Sequence, residues 1–344
     1  MDIDKIIKNK KIFIVAEAGN NHEGSFDKAV KMVYKASECG ADAIKFQTFK
    51  TEKFVSNIYN KKSKKRLKKF ELTYDQFYKL SQISKKKKII FFSTPLDIES
   101  ALFLNKIQNI FKIASGDNDF FDLIDVISSF NKRTIISTGI TDNKNLNKIY
   151  NKFKKKYKKN IKKKLSFLHC VTDYPVPNKY INLNSIVYLK EKFSDIDIGY
   201  SDHSLGNLAC LGATMLEAKI LEKHFTLDKN TSSFRDHKLS ADPKELKKLI
   251  TDVNLLIEAR GNYGKFILKN EKKNLLITKR SYFSSTDLNK NDKITKQKLI
   301  MLRPRKGLYI SNQILGKKIK KKVLSGNLIK KKYLYDWIFK NFIW

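Results

Sequence analysis

Two histidines and a carboxylate stand near the ends of two apolar runs, where they could bind a metal ion. Glu222 and His224 are two residues apart within the run Ile220–Phe225, and His203 follows the run Ile196–Ser201. Residues two apart in a β-strand project to the same side, and neighbouring strands lie about 4.8 Å apart. If the two runs are adjacent strands, both imidazoles can bind one divalent ion that keeps positions open for water or substrate. A pair of hydrogen-bonded core histidines is the alternative interpretation.

Two lysines interrupt other apolar runs of the chain. Lys45 lies within Ala43–Phe49, and Lys112 lies within Ile110–Ser115. Lysine is almost never buried without a partner, so we expect both to face an anionic ligand or Glu17 of the first apolar run. Exposure on an open face of a sheet is the alternative. The hydroxyl groups near the ends of the runs are Ser93, Thr94, Ser115, Ser137, Thr138 and Ser201. Lysines and hydroxyls together suit a substrate that carries phosphate and carboxylate groups.

The elements that must position these residues form a repeated pattern. Eight short apolar runs, separated by segments with helical periodicity, occupy the first two-thirds of the chain. They are Ile12–Ala18, Ala43–Phe49, Ile89–Thr94, Ile110–Ser115, Thr134–Thr138, Leu165–Cys170, Ile196–Ser201 and Ile220–Phe225. Strands that alternate with helices predict an α/β fold with a parallel sheet, and eight such units close into a (β/α)8 TIM barrel. Active sites of this barrel lie at the C-terminal ends of the strands, where the polar residues above are expected.

The remainder of the chain is large enough for a second, smaller domain. A TIM barrel takes about 250 residues, and the chain has 344. We assign 1–260 to the barrel, 261–279 to a linker, 280–335 to a small β-rich domain and 336–344 to an aromatic extension. The segment Tyr333–Trp344 is either a docked terminal helix or a membrane-surface contact. Residues 50–71, which are rich in lysine, are expected to form a long functional or mobile loop.

Composition argues against several other classes of protein. The formal net charge is +37, but the lysines are scattered, so we interpret them as solvated helix faces and not as a nucleic-acid interface. No apolar run reaches the ~18 residues that predict a membrane span, and the N-terminus lacks the apolar core of a secretory signal. The three cysteines show neither disulfide nor metal-binding spacing. We therefore expect a cytoplasmic protein with reduced thiols.

Nine short motifs occur in one order along residues 11–250. They are AEAGNNHEG, KFQTF, FSTP, KIASGD, ISTG, LHCVTDYP, GYSDHS, LEKHFTLD and DHKLS. In these motifs the chain resembles the sialic acid synthase family, which includes synthases of N-acetylneuraminic, legionaminic and pseudaminic acids. More weakly, Lys279–Ser281, Asp287–Leu288 and Leu302–Pro304 resemble the antifreeze-like (SAF) domain of that family. The resemblance implies a TIM barrel followed by a SAF domain at 280–335.

The resemblance also implies an activity and a set of site residues. The family condenses phosphoenolpyruvate with an N-acyl hexosamine, such as N-acetylmannosamine or a related diacetamido hexose, to give a nonulosonic acid and phosphate. It implies a divalent metal at His203 and His224, usually Mn²⁺, with Mg²⁺ or Co²⁺ as alternatives. Glu17 and Glu222 join the two histidines as catalytic residues, and either carboxylate could be the general base. The implied substrate-binding residues are Lys45, Gln47, Thr94, Lys112, Ser115, Ser137, Thr172, Tyr174, Ser201, Asp236 and Arg303.

Arg303 matches a residue that the SAF domain of one subunit offers to the barrel of the other, so the resemblance implies a domain-swapped homodimer. The role of His22 stays open between a loop acid or base and a turn residue. A catalytically silent sugar-binding barrel, acting as an assembly subunit, is the alternative function. Buried lysines beside carboxylates and histidines argue against it, because a pure sugar binder does not need them.

Overall fold

Each of the eight apolar runs contains a β-strand in the computed structural model, which describes residues 3–10 and 12–335. The strands are β1 (Phe13–Gly19), β2 (Ala43–Thr48), β3 (Ile90–Pro95), β4 (Ile110–Ile113), β5 (Arg133–Ser137), β6 (Leu165–Cys170), β7 (Asp197–Asp202) and β8 (Ile220–His224). Neighbouring strands are parallel in the order β3-β2-β1-β8-β7-β6-β5-β4, so that β1 pairs with β8. The predicted TIM barrel is confirmed.

A side chain bridges the seam between the two outermost strands of this sheet, β3 and β4. The backbone N–H of Ser93 donates to Oε1 of Gln108 at 2.7 Å, and Nε2 of Gln108 donates to the carbonyl of Ser93 at 3.0 Å. Gln108 lies just before β4, so its amide takes the place of a backbone partner for Ser93 in β3. This amide bridge satisfies the backbone N–H and C=O of Ser93.

Most helices follow the strands and cover the outside of the barrel, but the first precedes β1, and its Ile3 joins the apolar cluster that contains Phe13 and Val15. Those of the first 261 residues are α1 (Ile3–Lys10), α2 (Phe26–Cys39), α3 (Thr51–Phe54), α4 (Lys61–Phe70), α5 (Tyr74–Lys86), α6 (Ile98–Leu104), α7 (Phe121–Ser129), α8 (Asn143–Tyr157), α9 (Asn184–Lys192), α10 (Leu208–Met215), α11 (Arg235–Leu239) and α12 (Pro243–Arg260). Helix α12 begins as its sequence predicts: Asp242 caps the backbone N–H of Glu245, and Pro243 occupies the first turn. No helix of the described residues is long and apolar enough to cross a membrane.

Strand alternation decides which side chains face the barrel interior. The inner apolar cluster includes Phe13 and Val15 of β1 and Ile220 of β8. Residues two positions further along a strand share the same face, so Glu17 continues the inner face of β1 and Glu222 that of β8. The apolar inner core thereby carries a polar layer at the C-terminal ends of its strands.

Residues 50–71 contain two helices, α3 and α4, so the expected loop was wrong. Eight of the ten residues in KKSKKRLKKF have straight side chains that favour helix. Leu67 and Phe70, three apart, lie on one face of α4 and pack in a small cluster that includes Phe49 and Leu96. The lysine-rich segment folds because this narrow apolar face is buried.

The chain divides into two compact units, Met1–Gly261 and Asn262–Trp344. The second unit begins with helix α13 (Glu271–Thr278), within the segment assigned to a linker. It also contains the antiparallel pair β9 (Ser281–Ser284) and β10 (Leu299–Leu302). Its buried apolar residues are Leu288, Ile294, Ile314, Ile319, Val323, Ile329 and Leu334. The aromatic extension, 336–344, lies outside the described residues.

Candidate active site

A cavity of about 350 Å³ opens at the C-terminal ends of the barrel strands. The structure brings fourteen of the fifteen site residues named from the sequence together around it: Glu17, Lys45, Gln47, Thr94, Lys112, Ser115, Ser137, Thr172, Tyr174, Ser201, His203, Glu222, His224 and Asp236. The fifteenth, Arg303, belongs to the unit Asn262–Trp344, and its role stays a prediction. Ser93 and Thr138, the other hydroxyls considered, do not line this cavity.

Two lysines and two glutamates form a buried charge network at the floor of the cavity. Nζ of Lys45 lies 2.6 Å from Oε2 of Glu17 and 3.7 Å from Oε2 of Glu222. Nζ of Lys112 lies 3.6 Å from the other carboxylate oxygen of Glu222 and donates to Oγ of Ser137 at 2.6 Å. All four charged side chains are at most 6% exposed. The lysines therefore face into the barrel, and their placement on an exposed sheet face is wrong.

The surroundings of Glu17 and Glu222 shift the pKa values of these two carboxyl groups in opposite directions. Burial raises the pKa of Glu17 to about 7, although Lys45 acts in the opposite direction. Burial also opposes ionisation of Glu222, but Lys112 and Lys45 outweigh it and hold the pKa of Glu222 below its usual value. Burial lowers the pKa of the Lys112 ammonium. Glu17 can therefore gain or lose a proton near neutral pH, while Glu222 stays ionised as the anchor of both lysines.

The two histidine rings meet edge to face beyond this network, with their centroids 5.3 Å apart and an angle of 61° between their planes. Nδ1 of His203 donates to the carbonyl of Val171 at 2.7 Å, so Nε2 is the nitrogen that the neutral ring can offer to a metal. Burial acts to lower the pKa of His203, but the neighbouring Cys170 outweighs it and raises that pKa, so a metal ion at this ring competes with a proton. Burial holds the pKa of His224 well below its ordinary value, so its imidazole is neutral, as a metal ligand must be. The donor chemistry thus fits a divalent cation. Among the described residues no group of three or more His, Cys, Asp or Glu side chains is arranged to hold a metal, so such an ion would take further ligands from water or substrate.

Among the buried oxygens around the cavity, Oδ1 of Asn20 and Oγ1 of Thr172 have no partner within the protein, whereas Oδ1 of Asp236 lies 3.4 Å from Nε of Arg235. Buried polar atoms are rarely left without a partner. The amide of Asn20 also donates to Gln47 at 2.7 Å, so these two side chains are oriented by each other. The unpaired oxygens suit a ligand that donates several hydroxyl or amide protons.

A close backbone approach builds one wall of the cavity. The backbone N–H of Gly139 donates to Oγ of Ser115 at 3.1 Å. A Cβ atom at Gly139 would lie 2.3 Å from Oγ1 of Thr172 and 2.7 Å from Oγ of Ser115, which no real contact allows. Glycine is therefore required for the hydroxyls of β4 and β6 loops to meet at this wall.

Sequence reasoning missed several residues at the cavity. Cys170, interpreted as an inert buried thiol, has its Sγ 3.7 Å from Nδ1 of His203. Arg66 of α4 lies over the ring of Phe234, and Arg235 lies 4.6 Å from the ring centroid of Tyr174. Cys170 is the last residue of β6 and lies on its inward face, so the alternation of the strand could have pointed to it. Arg66 lies in α4 and Arg235 begins α11, so the alternation of side chains along a strand could not have assigned either arginine to the cavity.

His22 does not line the cavity. Its side chain is buried, and its Nδ1 accepts the backbone N–H of Gly24 at 3.1 Å within the turn after β1. Burial lowers the pKa of His22 to about 4. The structure favours the turn residue over the loop acid or base.

Comparison with known proteins agrees with this geometry. A family model described as "NeuB family" matches residues 32–265. The chain belongs to the NeuB family. It is 36% identical over 337 residues to the N,N'-diacetyllegionaminic acid synthase of Campylobacter jejuni, covering 93% of this chain and 99% of that protein. It is also 32% identical to the human N-acetylneuraminate-9-phosphate synthase, over 74% of this chain and 73% of the relative.

A solved structure gives the same picture. The N-acetylneuraminic acid synthetase of Leptospira borgpetersenii, in complex with citrate, superposes with a TM-score of 0.71 at 34% identity. The match covers 76% of this chain and 90% of that one. The resemblance to the sialic acid synthases is confirmed, and so is the expectation that this member of the family is an enzyme, a synthase.

Proposed function

We propose that this chain condenses phosphoenolpyruvate with an N-acyl hexosamine to give a nonulosonic acid and phosphate. The reaction would use a divalent metal ion, with Mn²⁺ as the first candidate and Mg²⁺ or Co²⁺ as alternatives. The observation that carries the proposal is the buried network of Lys45, Glu17, Glu222 and Lys112 at the barrel mouth. Ion pairs in a barrel interior cost desolvation energy, and an apolar filling would serve stability as well. We therefore explain the network by the binding of an anionic ligand on which charge develops during the reaction.

The lysines and hydroxyls of the cavity floor would hold the phosphoenolpyruvate anion. Lys112 and Ser137 are already in hydrogen-bond contact, and Lys45 lies 3.3 Å from Oγ1 of Thr94. These groups come from four different strands, β2 to β5, so the barrel fixes their spacing before the substrate binds. Preorganised donors of this kind orient the enol carbon without further reorganisation.

The sugar acceptor would lie toward the mouth, where Asn20 and Thr172 offer unpaired oxygens to its hydroxyl and amide groups and Asp236, beside Arg235, offers a carboxylate. A metal ion held by His203 and His224 would supply Lewis-acid polarisation of the acceptor's aldehyde oxygen. The π electrons between carbons two and three of phosphoenolpyruvate form the new bond from carbon three to the aldehyde carbon, while the C=O π pair passes to the aldehyde oxygen, which takes a proton and becomes a hydroxyl.

Water adds to carbon two of the former enol in the second step. Glu17, whose pKa is raised to about 7 by burial, would take the proton of that water. The tetrahedral intermediate expels phosphate by cleavage of its C–O bond, which leaves the keto acid. Lys112 and Ser137 would stabilise the departing phosphate.

One experiment tests the reaction. The purified chain is incubated with Mn²⁺, phosphoenolpyruvate labelled with ¹⁸O at the bridging oxygen, and a panel of acceptors: N-acetylmannosamine, its 6-phosphate and diacetamido-trideoxy hexoses. Mass spectrometry is expected to find a nine-carbon keto acid from one acceptor and the label in the released phosphate. Binding of sugar without any phosphate release would instead support the silent sugar-binding barrel.

We also propose that 280–335 is a SAF domain, and that the protein is a homodimer in which Arg303 serves the barrel of the second subunit. Mixing inactive Arg303→Ala protein with inactive His203→Asn protein should then restore activity, because a hybrid dimer contains one intact site. Mixtures that stay inactive after subunit exchange would contradict this. The three cysteines are free and buried, which supports a reducing, cytoplasmic location.

A further inference from the structure

Lys223 and Asp202 form a second buried ion pair, behind the two histidines. Nζ of Lys223 lies 2.7 Å from Oδ2 of Asp202, and the two side chains are 1% and 0% exposed. Lys223 precedes His224, and Asp202 precedes His203. Neither residue of the pair lines the cavity. Because successive strand residues face opposite sides, the pair lies on the outer face of the barrel wall.

Asp202 and Lys223 together hold the backbone just after His203. Oδ1 of Asp202 accepts the backbone N–H of Ser204 at 2.8 Å and its hydroxyl at 2.7 Å, and also the hydroxyl of Tyr200 at 3.0 Å. Nζ of Lys223 donates to the carbonyl of Ser204 at 2.6 Å. The N–H and the C=O of Ser204 are thus both bound by this one ion pair.

These bonds lie where the sheet stops controlling the backbone. The register of β7 and β8 ends with Asp202 opposite Lys223, so His203 lies beyond the last pair of the ladder. His224, in contrast, is still paired with Glu17 of β1. Nothing in the β7–β8 ladder fixes His203 relative to His224, and the ion pair with its bonds to Ser204 supplies that link.

We propose that Lys223 and Asp202 are positioning residues that set the spacing of His203 and His224, and thereby the affinity of the site for its metal ion. The inference rests on the metal proposed above. The pair does not touch substrate or metal, and acts through the backbone of residues 203 and 204. A buried ion pair is seldom needed for stability alone, whereas a histidine at the end of a strand needs a fixed direction to serve as a ligand.

The matched control lies at the other end of the same strand. Arg133 donates to Oδ2 of Asp197 at 2.8 Å, and these side chains are 4% and 8% exposed. Asp197 begins β7 and Asp202 ends it. Breaking either pair leaves one buried charge in the wall of the same barrel, so the two changes should destabilise the fold alike. Only the pair of Lys223 and Asp202 adjoins the histidines.

The test compares Lys223→Met with Arg133→Met in the full chain. Mn²⁺ affinity is measured by calorimetry, the Co²⁺-loaded proteins are compared by visible absorption, and thermal melting is recorded without metal. We expect both variants to melt lower, but only Lys223→Met to lose Mn²⁺ affinity, by about tenfold or more, with a changed Co²⁺ spectrum. Phosphoenolpyruvate affinity without metal should stay close to wild type in both.

A milder variant keeps the test valid if Lys223→Met does not fold. Asp202→Asn retains Oδ1 for Ser204 and Tyr200 but turns an amide donor toward the ammonium of Lys223, and the same loss of Mn²⁺ affinity is expected. Wild-type affinity in these variants, or an equal loss in Arg133→Met, overturns the proposal. A wild-type chain that binds no divalent ion would instead refute the metal of the proposed function, and the positioning role with it.

Discussion

Removal of the Lys112 ammonium tests whether the charge network binds the anionic substrate. The side chain is 3% exposed and its Nζ contacts Ser137 at 2.6 Å and Glu222 at 3.6 Å. Methionine has a similar length and an apolar end, so Lys112→Met removes the charge while filling most of the same space. Glu222 keeps Lys45 as an ion-pair partner at 3.7 Å, which protects the fold from an uncompensated carboxylate.

The expected loss follows from the number of contacts removed. A hydrogen bond to a charged group contributes about 1.5–3 kcal/mol, and Lys112 would make one such bond to the phosphate of the substrate. A loss of about 2 kcal/mol corresponds to roughly 30-fold weaker binding. Because the ammonium would contact the substrate before and during the reaction, KM should rise and kcat should fall less than kcat/KM.

Calorimetric titration with phosphoenolpyruvate, in the absence of acceptor, measures this loss without depending on turnover. Lys132→Met is the control: Lys132 is also partly buried, but it donates to the carbonyl of Gln108 at 2.7 Å, at the start of β5 and away from the cavity. Circular dichroism and thermal melting verify that both variants fold. If Lys112→Met binds the substrate within a factor of about two of wild type, Lys112 is not part of the anion site.

Four further substitutions test other parts of the structure. His203→Asn and His224→Asn should abolish turnover and bound Mn²⁺ while leaving phosphoenolpyruvate binding intact; near-normal activity with metal retained would contradict the metal site. Arg133→Met should lower the free energy of unfolding in urea by about 3–5 kcal/mol, since Asp197 is left buried without its partner; a change below about 1 kcal/mol would show that the pair is solvated. The pKa of His22 is lowered from 6.5 to about 4 by burial, so the unfolded chain binds a proton below pH 6.5 that the folded chain refuses, and wild-type stability should fall by about 3 kcal/mol between pH 6.5 and pH 4. His22→Asn, which can still accept from Gly24, should lack that part of the slope in urea unfolding at several pH values; an unchanged slope would assign it to other groups.

The strand-borne part of the site could be predicted from sequence for a physical reason. Strands of a parallel barrel are buried on both faces, so they form continuous apolar runs, and a polar residue within such a run stands out. Glu17, Lys45, Lys112 and Glu222 all interrupt apolar runs and share the inner face with their apolar neighbours. Because side chains alternate between the two faces of each strand, these four residues all lie at one cavity.

The same rule could not assign Lys223. It also interrupts an apolar run and is buried, but it lies between Glu222 and His224, so it faces the helices. Its partner Asp202 lies on another strand, and only the register of β7 with β8 brings the two together. Register depends on the whole barrel and is not encoded in either run alone. Helix α4 was missed because its composition looked like that of a solvated loop, although Leu67 and Phe70 give it a buried face.

The two ends of β7 show how the barrel separates stability from chemistry. At its start, Asp197 is joined to Arg133, whose side chain also donates to the carbonyl of Lys162 at 2.6 Å, and neither residue of this pair lines the cavity. At its end, Ser201 donates to Glu222 at 2.9 Å inside the barrel, while Asp202 binds Lys223 outside it. Ser201 and Asp202, the last two residues of β7, thus each have a partner on β8: Glu222 lies within the charge network and Lys223 lies behind it. The inner partner sets the charge that meets the substrate, and the outer partner fixes the backbone on which His203 stands. A change in either would alter the site, but only the inner one would alter the affinity for phosphoenolpyruvate.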